Sequence, residues 1–172
     1  MYSQNDIDEL ISCPKNISEP PKRELKLVGA DWRNNMTLVA SGRAGEFRVF
    51  FRRSEDFVEA FSVGLCYDPK DGSGEITLLR CNGPHGGFNA SFDPAHPHWS
   101  YHIHRATHTA INAGLKAEAN AETTTAYASY EEAVRHFIKV IDLDAADIEK
   151  YFPDKTAQFT LGFKGGEHDG NT

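Results

Sequence analysis

Residues 45–81 read GEFRVFFRRSEDFVEAFSVGLCYDPKDGSGEITLLRC, and apolar side chains recur there at every second position. Successive side chains on a strand point to opposite faces, so Phe47, Val49 and Phe51 share one face of a strand. Phe57, Phe61, Val63 and Leu65 share a face of the next, with Glu59 as an intruder. EITLLRC (75–81) supplies a third. The breaks, Arg53-Ser54-Glu55-Asp56 and 68–74, have turn composition. Links this short predict antiparallel neighbours. The same period runs upstream through ELKLVGADW (24–32) and NMTLVAS (35–41), with Arg33-Asn34-Asn35 and Gly42-Arg43-Ala44-Gly45 as the intervening turns.

Helical spacing takes over outside this region. Asn5 is placed to cap a helix whose stripe is Ile7, Leu10 and Ile11, with Pro14 ending it. Residues 14–23 (PKNISEPPKR) read as a Pro-rich connector. Ala106, Ala110 and Ile111 predict a short helix stopped by Gly114, and 115–127 has no clear period. Ser129 with Glu132 forms a capping box ahead of Val134, Phe137, Ile138 and Ile141. A further helix is expected from Asp144 to before Pro153, and a last strand over 158–163. The expected fold is α+β: an antiparallel β-meander of about five to seven strands with helices packed on one face. Residues 1–23 are read as an N-terminal helix and connector, 24–163 as a single α+β domain, and 164–172 as a flexible tail.

Between the strands and the long helix lies CNGPHGGFNASFDPAHPHWSYHIHRAT (81–107), which holds five of the eight histidines. Read as a strand, His96, His98, Ser100, His102 and His104 line one face, and Trp99, Tyr101, Ile103 and Arg105 the other. Pro97 has no N–H, so the regular strand is expected to start near His98. Two histidines at i and i+2 stand about 7 Å apart on one face, a spacing that suits metal ligation. His96, His98, His102 and His104 are the candidate ligands of a divalent transition metal such as zinc, with His85, Asp93 or Glu118 completing the set. A metal-free reading uses His85, His98, His102 and His104 as acid and base on an RNA phosphodiester, with Arg105 or Arg80 stabilising the charged intermediate. Arg105 points to the opposite face of such a strand and serves only if the strand ends at His104. The plain alternative makes these surface or structural histidines, Asn82-Gly83-Pro84 a tight turn, and the acidic strip 118–122 a solvated loop.

The net charge of −7 and pI near 5.6 exclude a generic basic nucleic-acid coat, while leaving room for an enzyme with local nucleic-acid contacts. No apolar run reaches about 18 residues, so no membrane span is expected. MYSQNDIDEL does not resemble a signal peptide. Cys13, Cys66 and Cys81 are odd in number and lack CxxC spacing, which predicts reduced, mostly buried thiols in a cytoplasmic protein. No Walker loop, GxGxxG, GxSxG or paired CxxC is present. His98-Trp99-Ser100-Tyr101 matches one element of the two-histidine phosphoesterases, which need two such elements.

The order LLRCNGPH, loop, HPHWSYHIH, capped helix resembles small bacterial domains that serve as toxins in toxin–antitoxin pairs. The residues that carry the resemblance are Arg80, Asn82, Pro84, His85, Pro97, His98, His102 and His104, within 76–139. This chain has a longer histidine loop, a longer segment before the helix and its own C-terminal extension. The resemblance implies a bacterial cytoplasmic protein, a toxin-like ribonuclease or phosphodiesterase acting on RNA and neutralised by an antitoxin-like protein partner. A second class is a non-catalytic protein-binding module, for which Trp99, Tyr101, Phe88 and Phe92 would supply interface aromatics.

Overall fold

The computed structural model describes residues 1–85 and 96–152. The strand expected over 158–163, the tail 164–172, Asp93 and the expected interface aromatics Phe88 and Phe92 lie outside the described residues. In chain order come α1 (Gln4–Ser12), β1 (Asn16–Glu19), β2 (Lys26–Val28), β3 (Asp31–Val39), β4 (Glu46–Ser54), β5 (Phe61–Asp68) and β6 (Ile76–Asn82). A one-turn 3-10 helix (Pro97–Trp99) follows, then β7 (His102–Arg105), α2 (His108–Asn112), β8 (Ala121–Thr123), α3 (Tyr130–Val140) and α4 (Ala145–Tyr151). The strands form one antiparallel sheet in the order β1-β3-β4-β5-β6-β7-β8, with β2 on the same edge of β3 as β1. The fold is α+β with an antiparallel meander, as the alternation predicts. No described helix is long and apolar enough to cross a membrane.

Register divides the sheet into two unlike faces. Leu38 pairs with Phe47, Phe47 with Tyr67, Val49 with Leu65, Phe51 with Val63 and Val63 with Cys81, and all are buried. Helices α1 and α3 pack on this face over β5 and β6, and Ile7, Leu10, Ile11, Val134 and Phe137 close the core. The opposite face carries Arg33, Arg48, Phe50, Arg52, Ser62, Gly64, Cys66, Arg80 and Asn82. The register pairs Arg33 with Arg52, Phe50 with Gly64 and Gly64 with Arg80. Gly64 is required by space: a Cβ there would lie 2.2 Å from Cζ of the Phe50 ring.

Lys15 is fully buried. Its Nζ donates to the carbonyls of Ile11 at 2.9 Å, Cys13 at 2.7 Å and Ile141 at 3.1 Å, and lies 4.8 Å from the centre of the Phe47 ring. The ammonium therefore satisfies carbonyls at the ends of α1 and α3 together. Backbone bonds from Lys15 N to Asp142 O and from Asp144 N to Lys15 O fasten the same junction. Burial holds the Lys15 ammonium below its ordinary pKa.

Local details differ from the sequence reading. ELKLVGADW is not one strand: it turns at Gly29-Ala30 into the β2–β3 hairpin, and Gly29 has a φ of 66°. Arg33-Asn34-Asn35 lies inside β3, because those residues pair with Arg52, Phe51 and Phe50. Phe57 is 71% exposed, since β5 begins at Phe61 and residues 57–60 form a turn closed by Ala60 N to Phe57 O. Ser3, not Asn5, caps α1, in a reciprocal box with Asp6. The stretch 14–23 contributes β1, which adds to the edge of β3, and Asn34 ties Lys22 to it through both its amide groups. Ser129 caps α3 by accepting the Glu132 N–H, while the Glu132 carboxylate takes the N–H of Ala128. Asp144 caps α4 as expected.

Phe137 is completely buried on α3. Phe137→Ala is expected to lower the unfolding free energy by about 3–5 kcal/mol, the cost of a large aromatic cavity. An unchanged urea midpoint would show that this helix face does not pack on the sheet.

Candidate metal centre

The polar face of the sheet ends in the histidines. Arg80 pairs with His104 and Asn82 with His102 across β6 and β7, so all four stand on the side away from the helices. Both imidazoles are buried. Nδ1 of His102 lies 2.8 Å from the Ser100 carbonyl oxygen, and Nδ1 of His104 lies 2.9 Å from that of Glu118. A carbonyl can only accept, so each Nδ1 carries the proton and each Nε2 presents a lone pair. Asn82 Nδ2 donates to His102 Nε2 at 3.2 Å, and Ser62 Oγ donates to Asn82 Oδ1 at 2.7 Å, which fixes the amide's orientation. His104 Nε2 is buried with no hydrogen-bond partner among the described residues.

The remaining histidines arrive from outside the strand. Gly83 N donates to Phe61 O, and a Cβ at Gly83 would come within 1.8 Å of the Glu59 oxygen. Only glycine lets the chain pass so close before it turns to His85. His85 N donates to His98 O at 3.0 Å, which draws the turn onto the 3-10 helix. His96 caps that helix, its Nδ1 accepting from His98 N at 3.3 Å. Ring centres of His85 and His98 are 4.7 Å apart, those of His85 and His102 5.0 Å, and those of His98 and His102 4.9 Å. His104 lies 5.1 Å from His102 and 5.5 Å from His98.

One ring nitrogen from each of His85, His98 and His102 falls within 4.8 Å of the other two, so the three could hold a metal ion. His85 is exposed and His102 buried, so the group opens toward solvent on the His85 side. The backbone carbonyls on the far nitrogens of His102 and His104 set tautomer and ring orientation, as the outer-shell partners of metal-bound histidines do. Burial pushes His102 down to about 4, aided by the neighbouring histidines. Burial also pushes His104 down to about 4, aided by the Arg80 charge. His98 is lowered by burial and then by His85 and His96. Neutral imidazoles are the form a metal requires.

The single-strand reading of the histidines needs correction. His96 and His98 belong to the 3-10 turn and its cap, and β7 begins only at His102, because Pro97 starts the helical turn instead of an extended segment. His98 still meets His102 and His104, as a neighbour from the turn. His96 contacts His98, at 4.7 Å between ring centres. Arg105 is not brought to the cluster. It sits on the helix side of β7, with its guanidinium 3.6 Å from Asp8 of α1. Arg80 takes the place beside His104, partly buried, its Nε without a partner among the described residues.

Tyr127 and strand β8 carry no sequence signal, and Glu118, expected as a possible ligand, reaches His104 with its main-chain carbonyl while its carboxylate pairs with Lys116. Tyr127, from the stretch without clear period, accepts the Asn82 N–H at 3.1 Å and donates to His102 O at 2.6 Å, locking β6 to β7 beneath the site. Strand β8 pairs with β7 and brings Glu118, itself buried, to its neighbour His104. Comparison of the chain with protein families, with curated proteins and with solved structures finds no match.

The ordinary histidine value is 6.5, and both buried imidazoles sit near 4 in the folded chain. Between these values the unfolded chain binds more protons than the folded one, so stability falls as pH drops through the window. The wild-type urea midpoint is expected to fall from pH 6.5 to 4 more steeply than that of His104→Gln. Parallel pH profiles for the two proteins would contradict the neutral, buried state of His104.

Proposed function

We propose that the histidine cluster is a divalent transition-metal centre of the zinc class, held by His85, His98 and His102, and that it hydrolyses a phosphodiester. The observation that carries this reading is that one ring nitrogen from each of the three histidines lies within 4.8 Å of the other two, with His85 and His98 coming from non-strand segments. Zinc with tetrahedral nitrogen ligands places those nitrogens about 3.4 Å apart, so from separations of up to 4.8 Å the group would tighten by up to about 1.4 Å on loading. The turn bearing His85 and the 3-10 helix bearing His98 can supply that movement, while His102 stays fixed in β7. Loading at His102 Nε2 displaces the Asn82 amide, which shares the same lone pair.

Three protein ligands leave a fourth position for water, and zinc lowers the pKa of such a water to about 7. His104 offers the unprotonated Nε2 that would accept a hydrogen bond from that water. Arg80 adds a cation on the same face, suited to charge building on a phosphate. Metal-free acid–base catalysis is less well supported. It needs one imidazole protonated near neutral pH, and burial lowers three of its four candidates, His98, His102 and His104. RNA is the first phosphodiester to try. A toxin-like setting with a neutralising protein partner rests on the resemblance of 76–139 alone.

The test uses untagged protein and Co(II) as an optical probe. Stoichiometric uptake with intense visible bands is expected for the wild type. His85→Asn, His98→Asn and His102→Asn should each weaken uptake at least about a hundredfold, and Arg105→Gln should leave it unchanged. Uptake should also weaken as pH falls below the histidine range, since protons compete for the ligands. A wild type that takes up no cobalt, or single variants that bind as well as it does, would refute the centre.

A further inference from the structure

The polar sheet face carries more positive charge than the centre itself uses. Arg33, Arg48, Arg52 and Arg80 all stand on it, in a chain whose net charge is −7. Carboxylates at the strand ends are matched: Asp31 with Arg33, Glu75 with Arg48, and Glu46 and Asp68 with Lys70. Arg52 and Arg80 have no ion pair within 4.0 Å among the described residues, although the Glu118 carboxylate, itself paired with Lys116, is near enough to act on Arg80. Arg52 is exposed, and its guanidinium lies 4.9 Å from the centre of the Phe50 ring, which keeps it over the sheet. Arg33 and Arg52 face one another directly across β3 and β4. Asp31 already supplies an anion to Arg33, which leaves Arg52 as the unmatched charge of the pair.

From these placements we propose that the open sheet face is a track for single-stranded nucleic acid, with Arg80 holding the phosphodiester at the histidine centre and Arg52 a nearby phosphate. Only the identity of the reacting phosphate rests on the metal-centre reading. Arg80 and Arg52 stand on strands two positions apart, a span of about 10 Å in the pairing direction. With their two-residue offset along the strands the separation is about 12 Å, which suits phosphates two nucleotides apart on an extended strand and exceeds the reach of one phosphate group. On strand β5, between them, the Phe50 ring lies over Gly64, so the path between the two arginines crosses an aromatic ring beside Ser62.

Binding of a fluorescein-labelled, unstructured single-stranded RNA of about 12 nucleotides, measured in EDTA across a salt series, tests the track without the metal. Wild type is expected to bind with a steep salt dependence. Arg52→Gln and Arg80→Gln should each weaken binding about tenfold and flatten the log–log salt slope by about 0.7, one single-strand phosphate contact. Arg43→Gln, whose side chain pairs with Glu9 on α1, serves as a control and should bind like wild type. Cobalt uptake by Arg52→Gln should equal that of wild type. RNA binding in a protein that takes up no cobalt would remove the centre and leave the track standing. No RNA binding by wild type, binding that Arg52→Gln leaves unchanged, or competition by inorganic phosphate as effective as that by RNA, would overturn the track.

Discussion

The pairing of β6 with β7 is the constraint on which the site depends. Only in this register do Arg80 and Asn82 stand beside His104 and His102 on the face that the helices leave open. A slip of one residue would send both imidazoles into the apolar face and bring Ile103 and Arg105 to the polar one. Tyr127 opposes such a slip, because its hydroxyl bonds the main chain of both strands at Asn82 and His102. The site is thus fixed from beneath by a core residue that touches none of its imidazole nitrogens.

At the other end of the core, the Lys15 ammonium plays a comparable joining role. Carbonyls at helix ends need donors, and here one buried cation serves two helices. Three carbonyls and the face of Phe47 replace the water that the charge gives up. The charge still carries a cost, seen in the lowered pKa. A cation left in the core with its partners removed would be far worse, so α1 and the end of α3 are held in place together.

Much of this was legible in the sequence where side chains alternate over long runs. Strands β4, β5 and β6 have seven to nine residues and one largely apolar face, broken in β4 by Arg53, which pairs with Glu131 of α3, and their antiparallel order follows from short turns. Strands β2 and β8 have three residues each, too few to show a period, and their pairing is decided by neighbours. The histidines were legible as a group, and the parity argument that sets Arg105 apart from them agrees with its place beside Asp8. What the sequence could not supply was the break between His98 and His102. Proline suits the first turn of a helix and the mouth of a strand equally well, and the choice falls to the His96 cap and the His85–His98 backbone bond. Lys15 and Tyr127 were hidden for a related reason: their partners are main-chain groups far away in the chain, which leave no mark on local composition.

The groups that orient His102 and His104 are main-chain carbonyls, those of Ser100 and Glu118. A carbonyl is present whatever the residue. The aim of both imidazoles is therefore insulated from drift at positions 100 and 118, so long as the loop and β8 keep their path. Mutational tolerance around the cluster should follow backbone shape more than residue identity. Descendants of this chain could then diverge widely in the flanking segments while keeping the same arrangement of rings.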